Sequence, residues 1–404
     1  MINSGPEKVF RILGLRFTVT PVHWVLTALA LISVICMIVR FFTGFSLVTN
    51  LSDEWPWGLW IGFDDMTGIA MAGGGYSIAI ITYIFGKGKY RSLVRPALLT
   101  SLIGYLIAMG SLILDVGRWY NCWMPFVSWG TSSVLFAIVW CLSLYMLVQA
   151  LELGEIITER FGQKFHDRLK KIMPVLIILG AVFPVLHQSS LGAMFLIMET
   201  KMHPLYWSEY LPWFYLISSF FVGPAVICCE ASLARTFYGH QIRVHMMHGL
   251  ARIGTGVMAV YFLLKWYDLF DRGLVGMAFS GTWEANVFLA EMIIGIIIPC
   301  IIVYSSWGQK RGGFIAYGIL TSVGLAINRL ATVFVGLSPG RETTYFPSIW
   351  ELFITIGLLS LACLLYSFIV ENINIFGKHH NEKLKRMSRM LMRVPKGHAK
   401  GHAS

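Results

Sequence analysis

Several side chains in this sequence stand where charge is most costly, inside apolar runs of about 20 residues. Asp64 and Asp65 follow a tryptophan-rich opening, Trp57-Gly58-Leu59-Trp60. His187 starts the polar run His187-Gln188-Ser189-Ser190, one turn after Pro184, and a proline there frees a backbone carbonyl inside the helix. Asp115 and Arg118 close another run, and Glu284, Glu291, Arg329 and Glu351 lie in later ones. Glu152 and Glu230 occupy the far ends of two more. An imidazole and carboxylates held together out of water are groups that donate and accept protons at working pH. Such a set suits a polar head group that exchanges protons. Each member also has a plainer reading. Asp115 and Arg118 have the i, i+3 spacing of a local ion pair. Arg329 and Glu351 could pair to lock two helices, and a buried His could be a structural hydrogen-bonder. Glu152 and Glu230 could be partly hydrated groups at a membrane interface.

The elements that must position these residues are membrane helices. Of the 404 residues, 56% are hydrophobic and 13% charged, whereas a soluble protein carries roughly a quarter charged residues. The reading is an all-α, polytopic integral membrane bundle of about ten transmembrane helices. They fall at 21–43, 57–85, 94–114, 128–153, 172–198, 210–233, 249–270, 284–306, 313–336 and 347–371. Residues 1–20 form an N-terminal arm, 21–371 the bundle and 372–404 a basic tail. The first apolar run is long enough to span and has no small-residue cleavage site after it, so no cleavable signal is expected.

Lys and Arg set the orientation. With the N-terminus inside, 25 of the 32 fall in the arm, the tail and alternate loops. That bias puts both termini in the cytoplasm. It also accounts for the net charge of +11 without a nucleic-acid partner. Asp64 and Asp65 then lie about two turns below the outer surface, and Asp115 and Arg118 at the outer end of the third span. Arg329 and Glu351 fall in the outer half, His187 near mid-membrane, and Glu152 and Glu230 toward the inside. The outward loops are rich in aromatics, among them Trp55, Trp57, Trp60, Trp123 and Trp129. These suit an interfacial belt against lipid or a docking surface for a partner.

Some chemistries lack their residues. A b-haem across a membrane needs two histidines facing each other at one depth. The spans offer His187 and His23 at different depths, so no haem is expected. The seven cysteines form no C-x-x-C pair, so neither an iron–sulfur cluster nor another metal site is expected in this chain. No Walker loop is present. Gly73-Gly74-Gly75 falls inside a span and reads as close helix packing.

The stretch Trp57-Gly58-Leu59-Trp60-Ile61-Gly62-Phe63-Asp64 resembles a signature of the NrfD/polysulfide-reductase family of quinone-reactive membrane subunits. Further stretches resemble the membrane subunits of Hyb-type uptake nickel–iron hydrogenases within it, a group often labelled cytochrome b. They are Leu93-Val94-Arg95-Pro96-Ala97-Leu98-Leu99, Asp115-Val116-Gly117-Arg118, Leu186-His187-Gln188-Ser189-Ser190-Leu191-Gly192, and Tyr345-Phe346-Pro347 leading into Trp350-Glu351-Leu352. The resemblance runs from about residue 55 to 370. It implies a subunit in the bacterial inner membrane, not catalytic alone. It implies a periplasmic iron–sulfur, ferredoxin-like partner on the outer face, hydrogenase large and small subunits beyond it, and menaquinone or ubiquinone bound just beneath.

On this reading His187 and Asp64 contact the head group or move its protons. Asp65, Asp115, Arg118, Gln188, Ser189, Arg329 and Glu351 support or bind, and Glu152 and Glu230 begin a proton path from the cytoplasm. Two alternatives stay open. One is the membrane subunit of another NrfD-type oxidoreductase, for polysulfide, nitrite or a cytochrome. The other is a secondary ion-coupled transporter, which buried acids and a broken helix would also suit.

Overall fold

The computed structural model describes residues 8–12, 15–237, 244–373 and 375. Ten helices among the described residues are long and apolar enough to cross a membrane. They are α1 (Pro21–Thr43), α2 (Trp60–Ile84), α3 (Gly88–Asp115), α4 (Val134–Glu159) and α5 (Gln163–Lys201), then α6 (Leu211–Ala234), α7 (Val244–Asp271), α8 (Trp283–Tyr304), α9 (Arg311–Phe334) and α10 (Ile349–Asn372). The chain is a multi-pass integral membrane protein.

Local sequence explains where the helices begin. Thr20 caps α1, its hydroxyl accepting from the His23 amide, and Pro21 occupies the first turn, where no amide is needed. Ser348 caps α10 in the same way, with Glu351 returning to the Ser348 amide to complete a capping box. Two boundaries differ from the hydropathy reading. The fourth helix starts at Val134, capped by Ser133, instead of at 128. The fifth begins at Gln163, well before the apolar run starts at 172. Hydropathy marks the bilayer-crossing part of a helix, whereas Lys164, Arg168, Lys170 and Lys171 are good helix formers that carry α5 beyond it.

The arm adds an element that the all-α reading lacks. Strands β1 (Lys8–Ile12) and β2 (Leu15–Val19) pair antiparallel, with Phe10 opposite Phe17. The hairpin is tied to the end of α10. The Arg16 amide donates to Asn372 Oδ1 at 2.8 Å, the Thr18 amide to Glu371 Oε2 at 3.0 Å, and Phe17 stacks on Phe368. From residue 376 the basic tail lies outside the described residues.

Helices α2 to α5 pack as one group and α6 to α9 as another, joined chiefly through α5, α2 and α6, while α1 pairs with α10 against α3. Only 17% of the apolar window of α1 is buried, against 72% for α2, so α2 is central and α1 peripheral. Exposed Leu31, Ile35, Leu147, Val175 and Ile178 face outward, as lipid-facing positions must. The glycine run in α2 serves close packing. A Cβ on Gly75 would stand 2.6 Å from Ser101 Cβ of α3. The crossing of α8 and α9 is tighter still, since a Cβ on Gly324 would meet Gly295 Cα at 2.0 Å.

Candidate functional site

Successive residues of an α-helix point about 100° apart, which makes it hard for neighbours to share one buried face. Asp64 and Asp65 can both be buried because the central helix α2 is covered on most of its circumference, and their segment, Trp60–Asp65, is π-helical. This wider turn reorients side chains and recurs at functional sites. The Thr67 hydroxyl donates at 2.9 Å to the carbonyl of Gly62 within it. Both aspartates are buried, at 2% and 3% exposure. Asp64 Oδ2 accepts from Thr355 Oγ1 of α10 at 2.7 Å, while Asp64 Oδ1 and Asp65 Oδ1 are buried without a partner. Asp115, the last residue of α3, lies within electrostatic reach of Asp65 and also has a buried, unpartnered Oδ1.

The expected Asp115–Arg118 pair does not form. The helix ends at Asp115, Val116 is extended, and Arg118 is exposed. The cation near Asp115 is Arg40 of α1, which is fully buried. Arg40 holds the end of α3, donating through Nε to Leu114 O and through Nη2 to Val116 O, both at 3.0 Å, and stacks on Phe45.

His187 and Gln188 of α5 are completely buried; the Gln188 amide has no hydrogen-bond partner among the described residues, and the His187 ring has none beyond the nearby Ile138 backbone of α4. Ser189 is half-buried. The His187 ring lies 6.1 Å from that of Tyr105 of α3, whose buried hydroxyl is also unpartnered and whose field reaches Asp65. Tyr105 in turn meets Tyr145 of α4 edge-on at 4.5 Å. From there polar groups continue down one face of α4. The Tyr145 hydroxyl is 3.2 Å from Ser101 Oγ, and Gln149 Nε2 donates to that Oγ at 2.5 Å. Glu152 follows at the i+7 position from Tyr145, buried, with its carboxylate against Gly180 of α5. Pro184 has no amide to offer the Gly180 carbonyl four residues earlier.

Three candidates are bound elsewhere. Arg329 does not pair with Glu351. Its guanidinium donates to Asn328 Oδ1 at 2.5 Å, Ser218 Oγ at 2.6 Å and Tyr215 O at 3.2 Å, and stacks on Tyr215. Glu351 accepts from the Ser348 amide at 2.8 Å, the Asn50 amide at 3.3 Å and the Tyr345 hydroxyl, and so fastens the loop before α10 to residues 49–59. Glu230 accepts from Thr100 at 2.7 Å and Tyr366 at 2.5 Å, joining α6 to α3 and α10.

Sequence reasoning passed over Arg40 and Lys265, although the cost of a charge within a span marks both. Thr355, Tyr105, Tyr145, Ser101 and Gln149 carry no such signal. Among the described residues no group of three or more His, Cys, Asp or Glu could hold a metal. What the arrangement offers is a set of buried acceptors and an imidazole with open hydrogen-bonding capacity. Buried polar atoms are normally satisfied, so orphans grouped in this way mark room for a polar ligand or water.

A polytopic helical bundle with an unsatisfied acid and imidazole site under one end is the class that the fold defines. The sequence profile of the family "Polysulphide reductase, NrfD" matches residues 47–338, and the chain belongs to that family. It is 32% identical over 379 residues to a protein of Nitratidesulfovibrio vulgaris Hildenborough, covering 90% of this chain and 96% of the relative. It is also 32% identical over 354 residues to the probable Ni/Fe-hydrogenase 2 b-type cytochrome subunit of Escherichia coli K12, covering 85% and 90%. The integral membrane subunit of menaquinone reductase from N. vulgaris is 24% identical over 363 residues, covering 81% and 85%.

Proposed function

We propose that this chain is the quinone-reactive membrane subunit of a respiratory redox complex on the periplasmic face of the inner membrane. Its partners on this reading are an iron–sulfur, ferredoxin-like subunit and the large and small subunits of an uptake nickel–iron hydrogenase. The kinship with a hydrogenase subunit and a menaquinone reductase subunit supports this choice. The observation that carries it is the grouping of Asp64, Asp65, His187 and Gln188, buried with open hydrogen-bonding atoms, beneath the end of the bundle opposite the termini. That end is periplasmic if the positive-inside bias holds, with arm and tail in the cytoplasm.

Menaquinone or ubiquinone would supply the two-electron, two-proton chemistry as the substrate. The chain's part is to bind and to handle protons. Gln188 and His187 can each offer a donor to a carbonyl oxygen, and Asp64, steadied by Thr355, can hold or give a proton. Asp65 and Asp115 set the field, and Ser189, half-buried, follows Gln188 on α5. Arg118, Arg329 and Glu351 shape the surroundings without touching the group. Protons from the cytoplasmic end would enter at Glu152, with Glu230 at the same mouth, and climb past Gln149, Tyr145 and Tyr105.

The test is turnover of the purified complex with menaquinone. His187→Ala and Asp64→Asn should each lower the rate by about 100- to 10,000-fold, the usual cost of removing a positioned proton-transfer group, with assembly intact. Near-normal rates in both variants would move the site elsewhere.

A further inference from the structure

A second polar centre lies in the α6–α9 group and, Arg329 at its edge apart, takes no part in the quinone reading. Lys265 Nζ of α7 contacts Glu291 Oε1 and Oε2 of α8 at 2.8 and 3.0 Å, and the Tyr261 hydroxyl at 3.2 Å. That hydroxyl also donates to Glu291 Oε1 at 3.1 Å and accepts from Asn328 Nδ2 at 3.5 Å. Asn328 in turn binds Arg329. All five residues are buried. Within this centre two cations face one carboxylate, because Arg329 donates only to neutral acceptors. Nearer the surface, Asp268 and Arg272 pair with each other at 2.5 Å, and Ser208 donates to Asp268. The remaining groups that face the centre are Tyr215 of α6, Tyr76 of α2 and Tyr206 of the loop before α6.

Space adjoins the centre on both sides. A narrow cleft, lined by Ser208, Tyr215, Lys265, Asp268, Arg272 and Thr332, leads toward the loops at the end opposite the termini. A small pocket with room for about one water, lined by Ser218, Tyr261, Glu291, Gly295 and Asn328, lies on the inner side. Tyr261 and Asn328 line both. A buried ion pair with an unbalanced cation beside it is a poor way to stabilise a bundle, since apolar residues of equal volume serve as well. It suits a site whose charge changes.

We propose that the Lys265–Glu291 pair is a proton-exchange site open to the end opposite the termini and separate from the His187 cluster. The Lys265 ammonium gives a proton to water in the cleft. The neutral amine stays bonded to Tyr261, and Glu291 is left to balance Arg329. Tyr261 reloads the amine, passing on its own hydroxyl proton and receiving one from a protonated water in the inner pocket, so that no hydroxide is left behind. Each cycle moves one proton and leaves the side chains unchanged.

The test has two arms on the complex reconstituted in vesicles. In the first, Thr332→Cys should react with silver ion, a membrane-impermeant thiol reagent small enough for a water-sized cleft, added on the face where exposed Cys122 reacts, and not from the other face. This arm needs no turnover, so it decides access to the site even if the quinone reading fails. Labelling from the other face, or none while Cys122 reacts, overturns the proposal. In the second, Lys265→Met combined with Glu291→Gln removes both charges together and leaves no lone buried ion. The double variant should keep its turnover in uncoupled vesicles and release fewer protons per electron on that face than the wild type. An unchanged ratio overturns the proposal. Loss of menaquinone turnover in the wild type would instead remove the quinone reading.

Discussion

The site depends on single side chains that hold others in place. Thr355 is one. Its hydroxyl is the donor that satisfies Asp64 Oδ2, and a buried acceptor deprived of its donor costs about 1–3 kcal/mol. Thr355→Val should therefore lower the thermal stability of the purified protein by that order and reduce menaquinone turnover. Thr355→Ser should restore both, and a Val variant with unchanged turnover would separate Thr355 from the site. Asp64, Asp65 and His187 were legible in the sequence because a charge or imidazole in an apolar run is conspicuous. Thr355 and Tyr105 were not, because a hydroxyl in such a run looks like ordinary packing. Arg40 was visible as a charge, but its hold on the end of α3 depends on a contact between residues 74 and 76 positions apart, which spacing along the chain does not reveal.

Among the elements, α2 and α4 matter most. The ten spans followed from hydropathy, yet the π-turn at Trp60–Asp65 that carries the two adjacent aspartates has no signature in apolar periodicity. The polar face of α4 is visible only once the helix is built, when Tyr145, Gln149 and Glu152 fall at i, i+4 and i+7. If that face carries protons, Glu152→Gln and Tyr145→Phe should each slow proton uptake from the cytoplasmic side of reconstituted vesicles. Glu230→Gln should have the smaller effect, because Glu230 is held by Thr100 and Tyr366. Uptake unchanged in the first two variants would rule out the α4 route. The loops at the opposite end form a strap. Glu54 accepts from the Thr343 hydroxyl at 2.5 Å and the Thr343 amide at 3.2 Å. Those bonds hold its carboxyl below its ordinary value of 4.5. The contribution is thus complete above that value and is lost as pH falls through the lower folded one. Limited proteolysis of residues 338–348 should accelerate on acidification in the wild type, and that acceleration should vanish in Glu54→Gln. Equal pH dependence in the two proteins would take Glu54 out of the strap.

For the molecule as a whole, the two helix groups hold two different polar centres. One, in α2 to α5, has open acceptors and an imidazole. The other, in α6 to α9, is a closed ion pair beside a cleft. The sequence put Asp64, Asp65 and Arg329 toward the outer side without dividing them, and passed over Lys265, since nothing in one chain says which helices are neighbours. On the proposed function the quinone belongs to the first group. A photoreactive menaquinone analogue, cross-linked to the purified complex and mapped by peptide mass spectrometry, tests that assignment directly. The account predicts label on the α2 segment containing Asp64 and the α5 segment containing His187, displaced by excess menaquinone. Displaceable label confined to α7, α8 and α9 around Lys265 and Glu291 would contradict it.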